Sequence, residues 1–181
     1  MANYISFLRG INVGGNKIIK MDSLSKSLQK AGFANIKTIL ASGNLLFGFK
    51  ETDVASLSLM ISQIIKTDFG FIVPVMVFTS EEFLEMVSIS PFESKNTSNY
   101  EYATFLREKS KKSISLIKSA ALESGFEIAK LDDLVVYSVV PKDSKKTVDL
   151  MKFLDEEFGK NVTTRNWNTI QKIASELEKR L

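Results

Sequence analysis

One hexapeptide near the start of the chain returns in its second half. Tyr4-Ile5-Ser6-Phe7-Leu8-Arg9 recurs as Tyr102-Ala103-Thr104-Phe105-Leu106-Arg107, and each substitution keeps the chemical character of its position. An internal repeat constrains architecture more strongly than local propensity, because both copies must suit the same structural unit. The halves also match near their ends, where Asp68-Phe69-Gly70 parallels Glu157-Phe158-Gly159. Counting onward without gaps pairs Val73 with Val162, Phe78 with Trp167 and Thr79 with Asn168. Thr79 and Asn168 are then expected to cap equivalent helices.

Each copy has the same order of elements. In the first, Tyr4–Arg9 reads as a strand and Met21–Gly32 as a helix with Leu24, Leu28 and Ala31 on one face. Asp22 and Ser23 are its expected N-caps, and Gly32 its stop. Strands follow at Ile36–Leu40 and Leu45–Phe49, then a helix over Asp53–Phe69 and a strand over Val73–Phe78. Thr79 and Glu82 form a capping box for a further helix. The second copy runs through strands at Tyr102–Arg107, Phe126–Lys130, Leu134–Val139 and Val162–Arg165. Its helices are Lys111–Ser124, Lys145–Phe158 and Asn168–Leu181. The fold class predicted is α+β, two duplicated ferredoxin-like halves (βαββαβ plus an extra helix) with antiparallel sheets in the order 4-1-3-2. Right-handed crossovers place both main helices of a half on one face. The other face needs cover from the sister half, the extra helix or a partner. The divisions expected are residues 1–89 for the first half, a linker over 90–100 and residues 101–181 for the second.

Composition removes whole classes of chemistry. The chain has 181 residues and contains neither cysteine nor histidine. Disulfides, thiol nucleophiles, zinc–thiolate sites and imidazole acid–base catalysis are therefore excluded. The 24 basic and 21 acidic residues leave a net charge of only +3, the balance of an ordinary solvated surface. The first residues lack the basic and apolar regions of a signal peptide, and no apolar run is long enough to span a membrane. The expectation is a cytoplasmic protein with no membrane partner. The carboxylates of Asp132 and Asp133 read as a turn, and Asp155, Glu156 and Glu157 as a solvated helix face. No metal site and no cofactor motif is expected from them.

The copies differ most after their first strands. Copy one continues through Arg9-Gly10-Ile11-Asn12-Val13-Gly14-Gly15-Asn16-Lys17, which holds three of the nine glycines. Copy two has the lysine-rich Glu108–Lys112 instead. Glycines permit positive φ, so successive N–H groups can converge on an anion, and a helix N-terminus follows. In a 4-1-3-2 sheet the end of strand 1 lies beside the start of strand 3, at Ser42-Gly43-Asn44. The candidate ligand-binding set is Arg9, Asn12, Gly14, Gly15, Lys17, Ser42 and Asn44. The motif is neither GxGxxG nor a P-loop, and ordinary turn chemistry also accounts for it. A second candidate is Arg165, Asn166 and Trp167, where the single tryptophan could offer a shelf for a planar ligand; the competing reading makes Trp167 core and Asn168 a cap. Lys109, Lys111, Lys112, Lys142, Lys145 and Lys146 crowd two helix starts, where cations are unfavourable.

The segments Leu8–Gly15, Ser42–Asn44 and Thr164–Thr169 together resemble the bacterial family of proteins of unknown function numbered 1697. The resemblance implies a duplicated α+β fold of the ferredoxin-like kind and supplies no catalytic assignment. No residue stands out as a general base, so the sequence favours binding over catalysis. The expected function is binding of an anionic small molecule, a nucleotide or phosphorylated metabolite, at the glycine-rich loop. One alternative is a single-stranded nucleic-acid module. Asn44 and Leu46, however, stand where RNA-recognition modules carry stacking rings. The other is a protein-interaction module without a ligand.

Overall fold

The computed structural model describes residues 1–92, 98–108, 113–159 and 161–180. The chain divides into two compact units. One comprises Met1–Glu85 with the chain end from Glu176, the other Met86–Ser175. The first unit contains β1 (Ala2–Leu8), α1 (Met21–Lys30), β2 (Ala34–Ile39), β3 (Asn44–Phe49), α2 (Val54–Phe69) and β4 (Val75–Thr79), leading into α3 (Ser80–Ser88). The second contains β5 (Asn99–Leu106), α4 (Ile114–Glu123), β6 (Glu127–Leu131), β7 (Val135–Pro141), α5 (Thr147–Phe158) and β8 (Val162–Asn166), leading into α6 (Trp167–Glu178). The sheets run β2-β3-β1-β4 and β6-β7-β5-β8 and all their pairings are antiparallel. This is the predicted ferredoxin-like plan in both units.

The main helix of the first unit follows from its sequence. The Asp53 carboxylate accepts the Ser56 N–H at 2.8 Å and caps α2, and hydrogen bonding from Ser56, its side chain first and then its N–H, holds the Asp53 carboxyl below its usual range. Gly70 ends the helix in the left-handed region at φ +82°, donating to the Lys66 carbonyl at 3.0 Å. Between the caps Leu57, Ile61 and Ile65 are fully buried. They face Tyr4, Leu8, Leu45, Phe47, Val75 and Val77 of the sheet within one core. Each such side chain stabilises the fold by roughly 1.5–3 kcal/mol. On the opposite face, Phe83 of α3 packs against Phe7, with ring centroids 6.0 Å apart. The second unit builds its own core from Leu106, Ile117, Val136, Leu150, Leu154 and their neighbours.

The sheet registers correct the ungapped pairing of the two halves. Leu8 pairs with Val75 and Leu106 with Val162, while Tyr4 pairs with Thr79 and Tyr102 with Asn166. Val75 and Thr79 are thus the counterparts of Val162 and Asn166. The cause is loop length: Val75 follows Gly70 by five positions, Val162 follows Gly159 by three. Strand hydrogen bonding, not sequence count, sets which residues correspond. The cap of α6 is accordingly Asn166, whose side-chain oxygen accepts the Asn168 N–H at 3.0 Å, and not Asn168. Phe78 corresponds to Arg165, since they lie opposite Ile5 and Ala103.

The capping box at Thr79 is present as expected. The Thr79 N–H donates to Glu82 Oε2 at 2.9 Å and the Glu82 N–H to Thr79 Oγ1 at 3.2 Å. Thr79→Ala is expected to cost about 1 kcal/mol, read from the midpoint of urea unfolding. The start of α1 differs from expectation. Neither Asp22 nor Ser23 caps it; Lys20 holds the N-cap position without a side-chain bond, and its carbonyl accepts the Leu24 N–H at 3.1 Å. The reason lies upstream, where Ile19 is buried and already fixed by Asn12. That anchor starts the helix at Met21 and leaves Asp22 and Ser23 inside its first turn.

The chain end returns to the first unit through charge. Glu176 pairs with Lys37 and with Lys179, the latter at 2.9 Å. These partners, Lys37 first, hold the Glu176 carboxyl down at about 2. Arg180 donates to the Asn35 carbonyl at 2.7 Å. Among the described residues no helix is long and apolar enough to cross a membrane.

Candidate functional site

Three connections meet at one rim of the first sheet: residues 9–20 after β1, 40–43 between β2 and β3, and 70–74 before β4. Backbone bonds begin the assembly. The Leu8 N–H donates to the Gly43 carbonyl at 2.8 Å and the Arg9 N–H to the Pro74 carbonyl at 3.0 Å. The antiparallel register, with Phe7 opposite Asn44, places strand 1's exit beside strand 3's entry.

Asn12 is the brace of this rim. Its Nδ2 donates to the Ala41 carbonyl at 2.7 Å and the Ile19 carbonyl at 3.0 Å, and its Oδ1 accepts the Ile19 N–H at 2.8 Å. Its φ of +55° is tolerated by asparagine better than by most residues. Val13 and Asn16 close a tight turn, with the Asn16 N–H on the Val13 carbonyl at 3.2 Å. Gly14 and Gly15 between them have φ of +60° and +77°, the two positive values a type I′ turn requires. Both glycines are exposed.

The other members of the predicted set occupy different depths. Asn44 is fully buried, donating to the Ile39 carbonyl at 2.7 Å and to Ser42 Oγ at 3.0 Å. Ser42 is exposed and Arg9 half-buried, and each engages the protein through its own interactions. Lys17 is exposed, and its Nζ reaches the Ile72 carbonyl at 3.1 Å. Gly43 is needed for close approach: a Cβ there would lie 2.6 Å from Leu8 Cβ and 2.8 Å from Ile11 Cδ1. Sequence reasoning missed the aliphatic side chains around the loop. Val13, Ile18, Leu40 and Ile72 are all exposed, and nothing in the sequence separated them from Ile11, Ile19 and Val73 of the same connections, which are buried.

The second candidate segment is built differently. Trp167 is 7% exposed. Its ring meets Phe92 edge-on at 5.3 Å and Tyr137 at 6.2 Å. An aromatic shelf needs an open face, and this indole is core. Burial and nearby Asp132 push the Tyr137 hydroxyl well above its usual range; it donates to the Met86 carbonyl. Arg165 bonds Thr163 Oγ1 and the Thr164 carbonyl, both at 2.9 Å, and burial lowers its guanidinium to about 10. Asn166 is the helix cap described above. Of the lysine group, Lys109, Lys111 and Lys112 lie outside the described residues. Lys146 pairs with Asp149 at 3.2 Å, and Lys142 stands 5.4 Å over the ring of Tyr100.

The family described as a protein of unknown function, DUF1697, matches residues 1–137, which take in the whole first unit's sheet and its rim. The chain belongs to the DUF1697 family. The match ends before Thr164–Thr169, so that segment of the resemblance lies outside it. The DUF1697 chain is also similar to a solved structure, that of the conserved bacterial protein SP0830 from Streptococcus pneumoniae. Identity is 22%, the alignment covers 97% of this chain and 98% of that one, and the TM-score is 0.72. At that identity the likeness shows a shared fold. No curated relative matches the DUF1697 chain.

Proposed function

We propose that this protein binds an anionic small molecule, a nucleotide or phosphorylated metabolite, at the rim of its first sheet. One observation carries the reading: the three connections gathered there contain Arg9, Lys17 and Lys20 and not one carboxylate. The anion would lie over the exposed Gly14–Gly15 turn, whose N–H groups can converge on it, with Arg9 and Lys17 supplying charge and Ser42 a hydroxyl. Asn12 and Asn44 act in this reading as braces, since their amides are already bonded to backbone carbonyls. A single-stranded nucleic-acid partner is less well supported. Ile5, Phe7, Leu46 and Phe78 on the sheet face opposite α1 and α2 are buried, with Phe83 of α3 packed against Phe7 there, whereas RNA-recognition modules need rings open on that face.

We further infer that the halves, 1–89 and 101–181 about a 90–100 linker, arose by duplication and that only the first kept the glycine-rich loop. The matching strand orders and the repeated hexapeptide support this. The similarity to a conserved bacterial protein supports a bacterial setting.

Thermal-shift screening against nucleotides and phosphorylated metabolites tests the binding. A ligand at one hundred times its Kd adds about 2.7 kcal/mol, a rise of roughly 5–10 °C in Tm for a chain of this size. The rise is expected to vanish in both Arg9→Ala and Lys17→Ala. No stabilising anion, or a shift that both variants retain, would overturn the reading.

A further inference from the structure

The same rim carries a second property that a soluble anion does not require. Val13, Ile18, Leu40 and Ile72 are 68%, 64%, 53% and 62% exposed. They come from three separate connections, which the Asn12 bond to Ala41 and the Lys17 bond to Ile72 tie together. Large aliphatic side chains thus stand outward around Arg9, Lys17 and Lys20, with no carboxylate in the same connections. Side chains more than half exposed at loop tips project from a surface and do not line a pocket.

We propose that this rim docks on an anionic bilayer surface, the lipid headgroup supplying the anion and the four aliphatic side chains entering the interface. The proposal rests on the reading of the rim as an anion site and names the source of the anion. The chemistry fits lipid better than protein. Protein interfaces favour aromatic residues, methionine and arginine at their centre and disfavour lysine, whereas this patch is aliphatic, with two exposed lysines beside a single half-buried arginine, Arg9. Anionic leaflets attract such cations, and lysine stems can lie along apolar surface while the ammonium stays at the headgroups. Surface docking needs no spanning helix, so it is compatible with the absence of one among the described residues.

Vesicle cosedimentation of the full chain tests it. The probes are vesicles of phosphatidylglycerol and phosphatidylcholine in equal parts, and vesicles of phosphatidylcholine alone, at low and physiological salt. Binding is expected to be at least tenfold tighter to the anionic vesicles and to weaken severalfold with salt. It should fall at least tenfold in Ile18→Ser/Ile72→Ser and in Lys17→Glu, and remain intact in Leu59→Ser, an exposed apolar position on α2. Melting curves show whether the double variant stays folded; should it not, Lys17→Glu carries the comparison. Equal binding to both vesicles, no binding, or full binding by Lys17→Glu would each overturn docking. A soluble-anion shift lost in Lys17→Ala together with no vesicle binding would overturn docking alone and leave the small-molecule reading in place.

Discussion

Gly43→Ala is expected to lower Tm by roughly 6–12 °C, from a loss of about 3 kcal/mol. Two costs combine. The added Cβ meets Leu8 Cβ at 2.6 Å and Ile11 Cδ1 at 2.8 Å, and neither can retreat, because Leu8 is a buried strand residue and Ile11 is buried beneath the loop. The backbone at φ +77° also disfavours any L side chain. Gly14→Ala separates these costs. It has a similar φ of +60° but open space around the new Cβ, so it should cost only about 1 kcal/mol. Equal losses in the two variants, measured by thermal unfolding, would mean that close approach at Gly43 does not matter.

Asn12→Gly should cost about 2–3 kcal/mol. Glycine keeps the positive φ, so the loss isolates the amide. Removing it takes partners from the Ala41 carbonyl and from both backbone groups of buried Ile19. Asn12→Ala should be worse by about another 1 kcal/mol, because it adds left-handed strain. Urea unfolding of both variants reads the difference. Both should also weaken anion binding, since the glycine turn and the 40–43 connection would no longer be held together. An Asn12→Gly protein as stable as the parent would show that other contacts hold the rim.

What the sequence made legible was topology. The repeated hexapeptide marked the two central strands, and the spacing between apolar stripes supplied the βαββαβ order that both sheets display. Thr79 with Glu82 was readable as a cap because a capping box is local, within four residues. Correspondence between the halves was not readable, because a two-residue difference in one connection leaves apolar alternation intact while shifting every pair. Asp22 and Ser23 misled for a related reason: they are good capping residues, but a side-chain bond from Asn12 to Ile19, seven residues on, decides where the chain enters α1. The site set was legible as a neighbourhood. Strand order alone brought Gly14 and Ser42 to one rim. Which amides face outward and which brace the backbone depended on bonds such as Asn44 to Ile39, made only once the turn has closed.

Amide NMR during a pyrophosphate titration can locate the anion directly. The largest shift changes should fall on Gly14, Gly15, Lys17 and Ser42 and be lost in Lys17→Ala. No saturable change at these amides, or the largest changes around Lys142–Lys146 of the second unit, would contradict an anion site on the first sheet's rim.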